Sequence, residues 1–321
     1  MKSRVLAALA CLVVALPAAA FELKIFKVPE GARPHDAAVS ADGIAWYTAQ
    51  GQGALGRLDP RTGAVRQIKL GVRSAPHGVV IGPDGAPWIT DSGLNAIVRV
   101  DPRTYQVKSF PLPKGSGYAN LNTATFDKNG NHWFTGQAGI YGKVDPKTGE
   151  VKVWDAPKGR GPYGIATTPS GEVWFSSLAG NYIARIDTRT GEVEVVDSPT
   201  PGTGARRVWS DSKNRLWVSL WNSGEVGLYD PAAKAWKKWK LPGSNPRCYS
   251  VYVDETDAVW LTDFGPANAV VRFDPRTEQF RSFPSDQPHA GVRQMLGRPG
   301  EVWAPESGLD RLTVIRYGKT N

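Results

Sequence analysis

The sequence predicts an all-β fold, a seven-bladed β-propeller of four-stranded blades, on three observations. Tryptophan returns at Trp46, Trp88, Trp133, Trp174, Trp217, Trp260 and Trp303, at spacings of 42, 45, 41, 43, 43 and 43 residues. A second phrase of the form R-x-D-P-x-T-G, as in GRLDPRTG and GKVDPKTG, follows six of these tryptophans at about thirteen residues. The third observation is phase: residues 21–29, FELKIFKVP, read as a lone outer strand, whereas the seventh unit stops at its third strand, RLTVIRYG. Four short strands in a period of about 40 to 45 residues are the signature of a propeller blade.

Each element of the unit has its own physical reason. A strand of small apolar residues enters a tight turn at DG, NG or SG, residues that tolerate the positive backbone angles of a hairpin. The Trp strand follows, and the R-x-D-P strand ends at its proline, which has no N–H to give to a ladder. A turn at RTG or KTG leads to an alternating strand such as VRQIKL, VKVWDAP or VEVVDSP. The N-terminal strand is then expected to complete the seventh blade, closing the ring and covering its exposed edges. The acids of the DG and R-x-D-P phrases invite a calcium or catalytic reading, but their return in nearly every unit assigns them to the scaffold. No composition shift marks a boundary, so residues 21–321 are expected to form one domain.

The first twenty residues, MKSRVLAALACLVVALPAAA, run from Lys2 and Arg4 through an apolar stretch to three small alanines. That order predicts a cleaved signal peptide and a periplasmic or secreted protein. The apolar stretch is shorter than the roughly 20 residues of a spanning helix, so no stable membrane insertion is expected. Cleavage lowers the net charge from +9 by two, to +7, and removes Cys11, leaving Cys248 with no partner for an internal disulfide. A buried, inert thiol is the expectation for Cys248. The positive excess favours an anionic ligand. The basic residues are scattered through the repeats without forming runs, which argues against nucleic acid. A closed ring can stand alone as a monomer, and nothing in the motifs asks for an organic cofactor.

Function is sought where the mouth of the central channel departs from the repeat. Eleven residues before each Trp lie His35, His77, Asn122, Tyr163, Arg206, Tyr249 and Val292; three after each lie Ala49, Asp91, Gly136, Ser177, Leu220, Asp263 and Glu306. Asp263, Glu306 and Asp91 have the oxygen ligands that Mg²⁺ or Ca²⁺ takes, and His35 or His77 would serve beside them as a base. Arg206, Arg207 and Arg293, with Tyr249, Tyr163 and Asn122, are the candidate substrate-binding set, since guanidinium groups hold anions in a bidentate grip.

The phrases PHGVVIGPDGAPWITD (Pro76 to Asp91) and PYGIATTPSGEVWFS (Pro162 to Ser176), each followed by the R-x-D-P-type phrase, resemble the repeat of the streptogramin B lyase (virginiamycin B lyase) family. The resemblance spans essentially the whole mature chain. It implies a seven-bladed propeller and a carbon–oxygen lyase that opens a cyclic depsipeptide at its ester by elimination, with a histidine base and a Mg²⁺ held by two glutamates. Glu306 matches the family's metal-binding glutamate. Val292 stands at the place of the catalytic histidine, with His289 three residues before it; Gln287 stands for the second glutamate, and Tyr249 for a substrate-contacting histidine. Two functions are therefore carried forward. One is metal-assisted cleavage of an ester or lactone, with Glu306, Asp263 and Asp91 on the cation and His289, His35 or His77 as base. The other is a non-catalytic propeller whose mouth binds an anionic small molecule or partner.

Overall fold

The computed structural model describes residues 21–318; the expected signal peptide lies outside them. Seven four-stranded antiparallel sheets form the blades, and six of them use their strands in chain order. The seventh is built from Leu296–Arg298, Glu301–Glu306 and Arg311–Arg316, completed by Glu22–Lys27 from the other end of the chain. Those last two strands pair antiparallel from Glu22 opposite Arg316 to Lys27 opposite Arg311, so the ring is closed as the phase of the repeat predicted.

The repeated tryptophans pack between neighbouring blades. Trp303 of the last blade shares a core with Ala37, Ala45 and Tyr47 of the first and stacks on Phe26 of the closing strand, while Trp217 of the fifth packs among residues of the sixth. The turn acids hold these indoles in place. Asp127, Asp211 and Asp254 accept the Nε1–H of Trp133, Trp217 and Trp260 at 2.8, 3.2 and 2.7 Å. The R-x-D-P acids cap their own turns in the same spirit, as where Asp101 accepts the backbone N–H groups of Arg103 and Thr104 at 2.9 and 2.8 Å.

Two features of the first strands decide what faces the channel. The pairing slips by one residue near the start of the strand, as between Pro34 opposite Ala49 and Ala37 opposite Tyr47, or Cys248 opposite Asp263 and Val251 opposite Leu261. Such a bulge re-aims side chains, and here two consecutive residues, such as His35 with Asp36, enter the channel. The second feature is a hydroxyl two residues after the Trp. Thr48, for example, accepts the N–H of Asp36 at 3.0 Å and donates to the carbonyl of His77 on the next blade at 2.8 Å. Ser219 does the same for Arg207 and Tyr249 at 2.9 Å each. One group thereby fixes the bulge and joins two blades. The seventh blade has Pro305 there instead, and its carbonyl accepts the N–H of Arg293 at 3.0 Å.

Candidate functional site

The seventh blade corrects one expectation. Its first hairpin turns at Pro299-Gly300 between the paired Arg298 and Glu301, whereas blade one spends Ala41-Asp42-Gly43 between Ser40 and Ile44. The shorter turn slides the strand by one residue, so Val292 pairs with Glu306 as Pro34 pairs with Ala49. Val292 therefore sits in the blade core, and the channel position falls to Arg293. The upper ring is His35, His77, Asn122, Tyr163, Arg206, Tyr249 and Arg293. Beneath it lie Asp36, Thr123, Arg207, Ser250 and Gln294, with Gly78 and Gly164 completing the circle; the two glycines leave room for neighbours that approach any Cβ there to 2.5 and 2.6 Å.

At the centre the groups interlock. His35 Nδ1–H donates to the Asp36 carboxylate at 2.7 Å, which leaves its Nε2 lone pair facing the Tyr249 hydroxyl at 3.4 Å. His77 Nδ1–H donates to the carbonyl of Asn122 at 3.2 Å, and its Nε2 accepts from the Asn122 side-chain amide at 3.3 Å. The two imidazole rings lie 3.9 Å apart between centroids. Arg207, 1% exposed, reaches both oxygens of Asp36 at 3.4 and 3.5 Å and donates to Thr123, plugging the axis. Below, Ser250 donates to Gln294 at 3.0 Å.

Cations dominate the upper side. The Arg206 guanidinium lies 4.0 Å from the ring centroid of Tyr249, 4.3 Å from Tyr163 and 4.6 Å from Trp221. Arg293 lies 5.5 Å from Tyr249 and 5.0 Å from Phe264, which itself stacks on Tyr249 at 4.6 Å. Among the described residues neither Arg206 nor Arg293 forms an ion pair, Arg206 donates to the Tyr163 hydroxyl, and the Nε of Arg206, Arg207 and Arg293 are buried without a hydrogen-bond partner. Asp36 is the one carboxylate set against them. Burial lowers His35 well below its ordinary value, with Arg293, Arg207 and Arg206 adding to the effect; burial does the same to His77, reinforced by His35. Both rings are thus neutral. Burial raises Asp36, opposed by Arg207. For Tyr249 burial pushes upward, but Arg206, Arg207 and Arg293 together outweigh it and hold the phenol down to about 7, while burial takes Tyr163 up to about 12.

The remaining candidates lie elsewhere. Glu306, 4% exposed, accepts from Arg311 Nε at 2.7 Å and Ser285 at 3.1 Å on one oxygen and from Thr313 on the other, lining a cleft between blades six and seven. Asp263 accepts the N–H groups of Arg247 and Gly265 at 2.7 Å each; Asp91 accepts those of Ala75 and Leu94 at 2.9 Å each. These three acids cap loops and close a blade edge, each with its own donors. Among the described residues the three acids are not gathered with one another or with a histidine closely enough to share a hard cation, so they do not fit a common Mg²⁺ or Ca²⁺ site. His289 is exposed on the 285–291 loop with a left-handed φ of 60°, and Gln287 is exposed beside it. His35, Asp36 and His77 bring ligand atoms within 4.8 Å of one another, but three guanidinium groups around them make a poor setting for a cation. Cys248 is buried, and burial raises its thiol out of the reactive range.

The structure thus gathers His35, His77, Asn122, Tyr163, Arg206, Arg207, Tyr249 and Arg293 at one mouth and sets Glu306, Asp263, Asp91 and His289 apart from that network. Sequence reasoning missed Asp36, Thr123, Ser250 and Gln294, which lie next in chain to the upper ring and are exposed to the axis by the bulge. It also missed Trp221 and Phe264, which cover the mouth. An aromatic following the third residue after the Trp in blades five and six was the available signal.

Residues 13–273 match the virginiamycin B lyase family, a segment that ends in the third strand of the sixth blade, Ala269–Asp274. The chain is similar in structure to selenomethionine-substituted virginiamycin B lyase from Staphylococcus aureus, at 20% identity and a TM-score of 0.85, covering 92% of this chain and 99% of that one. A catalytically inactive histidine-to-alanine variant of the same lyase with quinupristin matches at the same values, 20% identity, 92% and 99% coverage, and TM-score 0.85. The extracellular domain of a hybrid two-component system from B. thetaiotaomicron matches at 18% identity and TM-score 0.71, over 91% of this chain and 42% of that one. No curated protein matches the sequence.

Proposed function

The chain belongs to the virginiamycin B lyase family, and on that premise we propose that it binds a small anionic molecule at the mouth of its central channel. One observation carries the reading: Arg206, Arg207 and Arg293 converge on Tyr249 against a single carboxylate, Asp36, and each keeps a buried Nε without a partner. Unpaired guanidinium N–H groups in a desolvated site carry the cost of lost water until an anion supplies charge-assisted hydrogen bonds. Phe264 and Trp221 hold the arginines against flat surfaces, which lowers the entropy that ordering them on a ligand would cost. Arg206 and Arg293 are half-buried, the more accessible of the three arginines, whereas Arg207 is buried.

The leader-like first twenty residues place this ligand outside the cytoplasm in our reading. Among the described residues no helix is long and apolar enough to cross a membrane. Cleavage of an ester or lactone stays tied, in this reading, to the acid–base groups at the same mouth and not to Glu306. Isothermal titration with sulfate, an anion of one charge state across the working pH range, tests the binding. The wild type is expected to bind, and an Arg206→Gln, Arg293→Gln double variant to lose binding while staying folded by circular dichroism. Absence of binding in the wild type, or equal binding in both, overturns the proposal.

A further inference from the structure

We propose that Tyr249 is an acid–base group that, as a phenolate, takes a proton from the carboxylate-bearing ligand held against Arg206 and Arg293. The proposal deepens the anion-binding reading and rests on it. Tyr249 is fully buried at the start of the sixth blade, yet it is surrounded by charge from other blades. Arg206 and Arg207 face it from the fifth blade, with guanidinium carbons 4.0 and 5.8 Å from its ring centroid, and Arg293 from the seventh at 5.5 Å. Its hydroxyl lies 3.4 Å from Tyr163 of the fourth blade and 3.4 Å from His35 Nε2 of the first, behind which stand Asp36 and His77.

Those neighbours give the phenol an unusual balance. Desolvation alone would keep it protonated, as it does Tyr163, but three cations within 6 Å favour the oxygen anion, and the phenol drops into the neutral range. The two tyrosines that touch at this mouth share Arg206 and Arg207, and Arg206 donates to the Tyr163 hydroxyl, but only Tyr249 also faces the third arginine, Arg293, 5.5 Å from its ring centroid. His35 is locked with its Nε2 lone pair toward the phenol because Asp36 takes its Nδ1–H, so the protonated hydroxyl donates to that lone pair, and the Tyr163 hydroxyl at 3.4 Å is the donor that faces the phenolate.

The step balances without a cofactor. A C–H bond next to the ligand's carboxylate or carbonyl breaks, its proton forms the O–H bond of Tyr249, and its electron pair remains on the ligand as an enolate. The negative charge so formed lies beside Arg206 and Arg293, where preorganised cations stabilise it. Tyr249 then returns the proton to the ligand or to its departing group, and the phenolate is restored. The chemical class is a small carboxylate with an acidic hydrogen.

Ultraviolet titration of the tyrosinate band tests the group. One phenol is expected to ionise near neutral pH in the wild type, to vanish from the titration in Tyr249→Phe, and to move to higher pH in Arg206→Gln and in Arg293→Gln. Sulfate is expected to raise the midpoint, since a bound anion offsets the arginines. In deuterium oxide, pyruvate is expected to lose its methyl proton signal faster with the wild type than with Tyr249→Phe. A wild type with no phenol ionising below the alkaline range, or a neutral midpoint that survives Tyr249→Phe, overturns the proposal, as does pyruvate exchange no faster than in Tyr249→Phe. A neutral phenol that sulfate leaves unmoved separates the two ideas: the ionised Tyr249 stands and the anion-binding reading falls.

Discussion

The cleft between blades six and seven and the mouth of the central channel are built from similar parts. Each holds a buried carboxylate, arginine and hydroxyl groups. In the cleft every part is matched: Glu306 gives one oxygen to Arg311 and Ser285 and the other to Thr313. At the mouth the count is unequal, with Arg206, Arg207 and Arg293 facing Asp36 alone, and three buried Nε atoms left over. An acid that the resemblance would put on a metal thus serves the scaffold once its oxygens are taken, whereas the unmatched cations carry the proposed anion binding. Residue type proposes a site; the accounting of partners assigns it.

The largest expected effect comes from removing the one matched pair at the mouth. Arg207→Leu leaves Asp36 buried without its cation and should cost about 3 to 5 kcal/mol in a urea titration. A loss no greater than that of a surface substitution would break the idea that this pair plugs the axis.

Acid should act next, through the scaffold as well as the mouth. His132 is buried against Trp88 and Phe126 with neither ring nitrogen partnered, and burial lowers it to about 3. The unfolded chain takes up a proton near the ordinary value of about 6.5, while the folded chain does not until about pH 3. Stability is therefore full above about 6.5 and falls as pH drops toward 3, by on the order of 4 kcal/mol from this residue. His132→Phe should make that limb less steep, leaving the slope from His35 and His77, which burial lowers in the same direction; an unchanged limb contradicts the assignment.

Glu306→Gln sharpens the contrast directly. Weakening its charged bonds to Arg311 should cost about 2 kcal/mol of stability, with sulfate affinity unchanged. Lost sulfate binding would move the functional site to the cleft. Arg206→Gln should do the reverse, leaving stability near wild type while weakening sulfate about tenfold, or about 1.4 kcal/mol. The smallest effect is expected at the rim: Arg61→Ala, which removes an exposed pair with Asp59, should leave the melting temperature unmoved.

Blade number and closure were legible in the sequence because the signals are local and repeated. Asp127, Asp211 and Asp254 each set a turn and hold an indole six residues on, Ser40 holds Trp46 at the same spacing, and Asp84, Glu172 and Glu301 take the other indoles from four or two residues away. Much of the site was legible too, since Arg206, Tyr163 and Tyr249 break the repeat at one offset. That offset failed at Val292, where a turn one residue shorter shifted Arg293 into its place. It also hid Asp36, because only the bulge turns two consecutive residues to the axis.

By itself, then, the sequence determined the seven blades, the strand that closes them and the excess of positive charge, all properties of short-range pattern and composition. Only the tertiary structure decided which charges are spent. His35, Tyr163, Arg206, Tyr249 and Arg293 come from five blades. Whether a guanidinium there meets a carboxylate or a phenol depends on strand register and the curvature of the ring, which bring residues more than two hundred positions apart to within hydrogen-bonding distance.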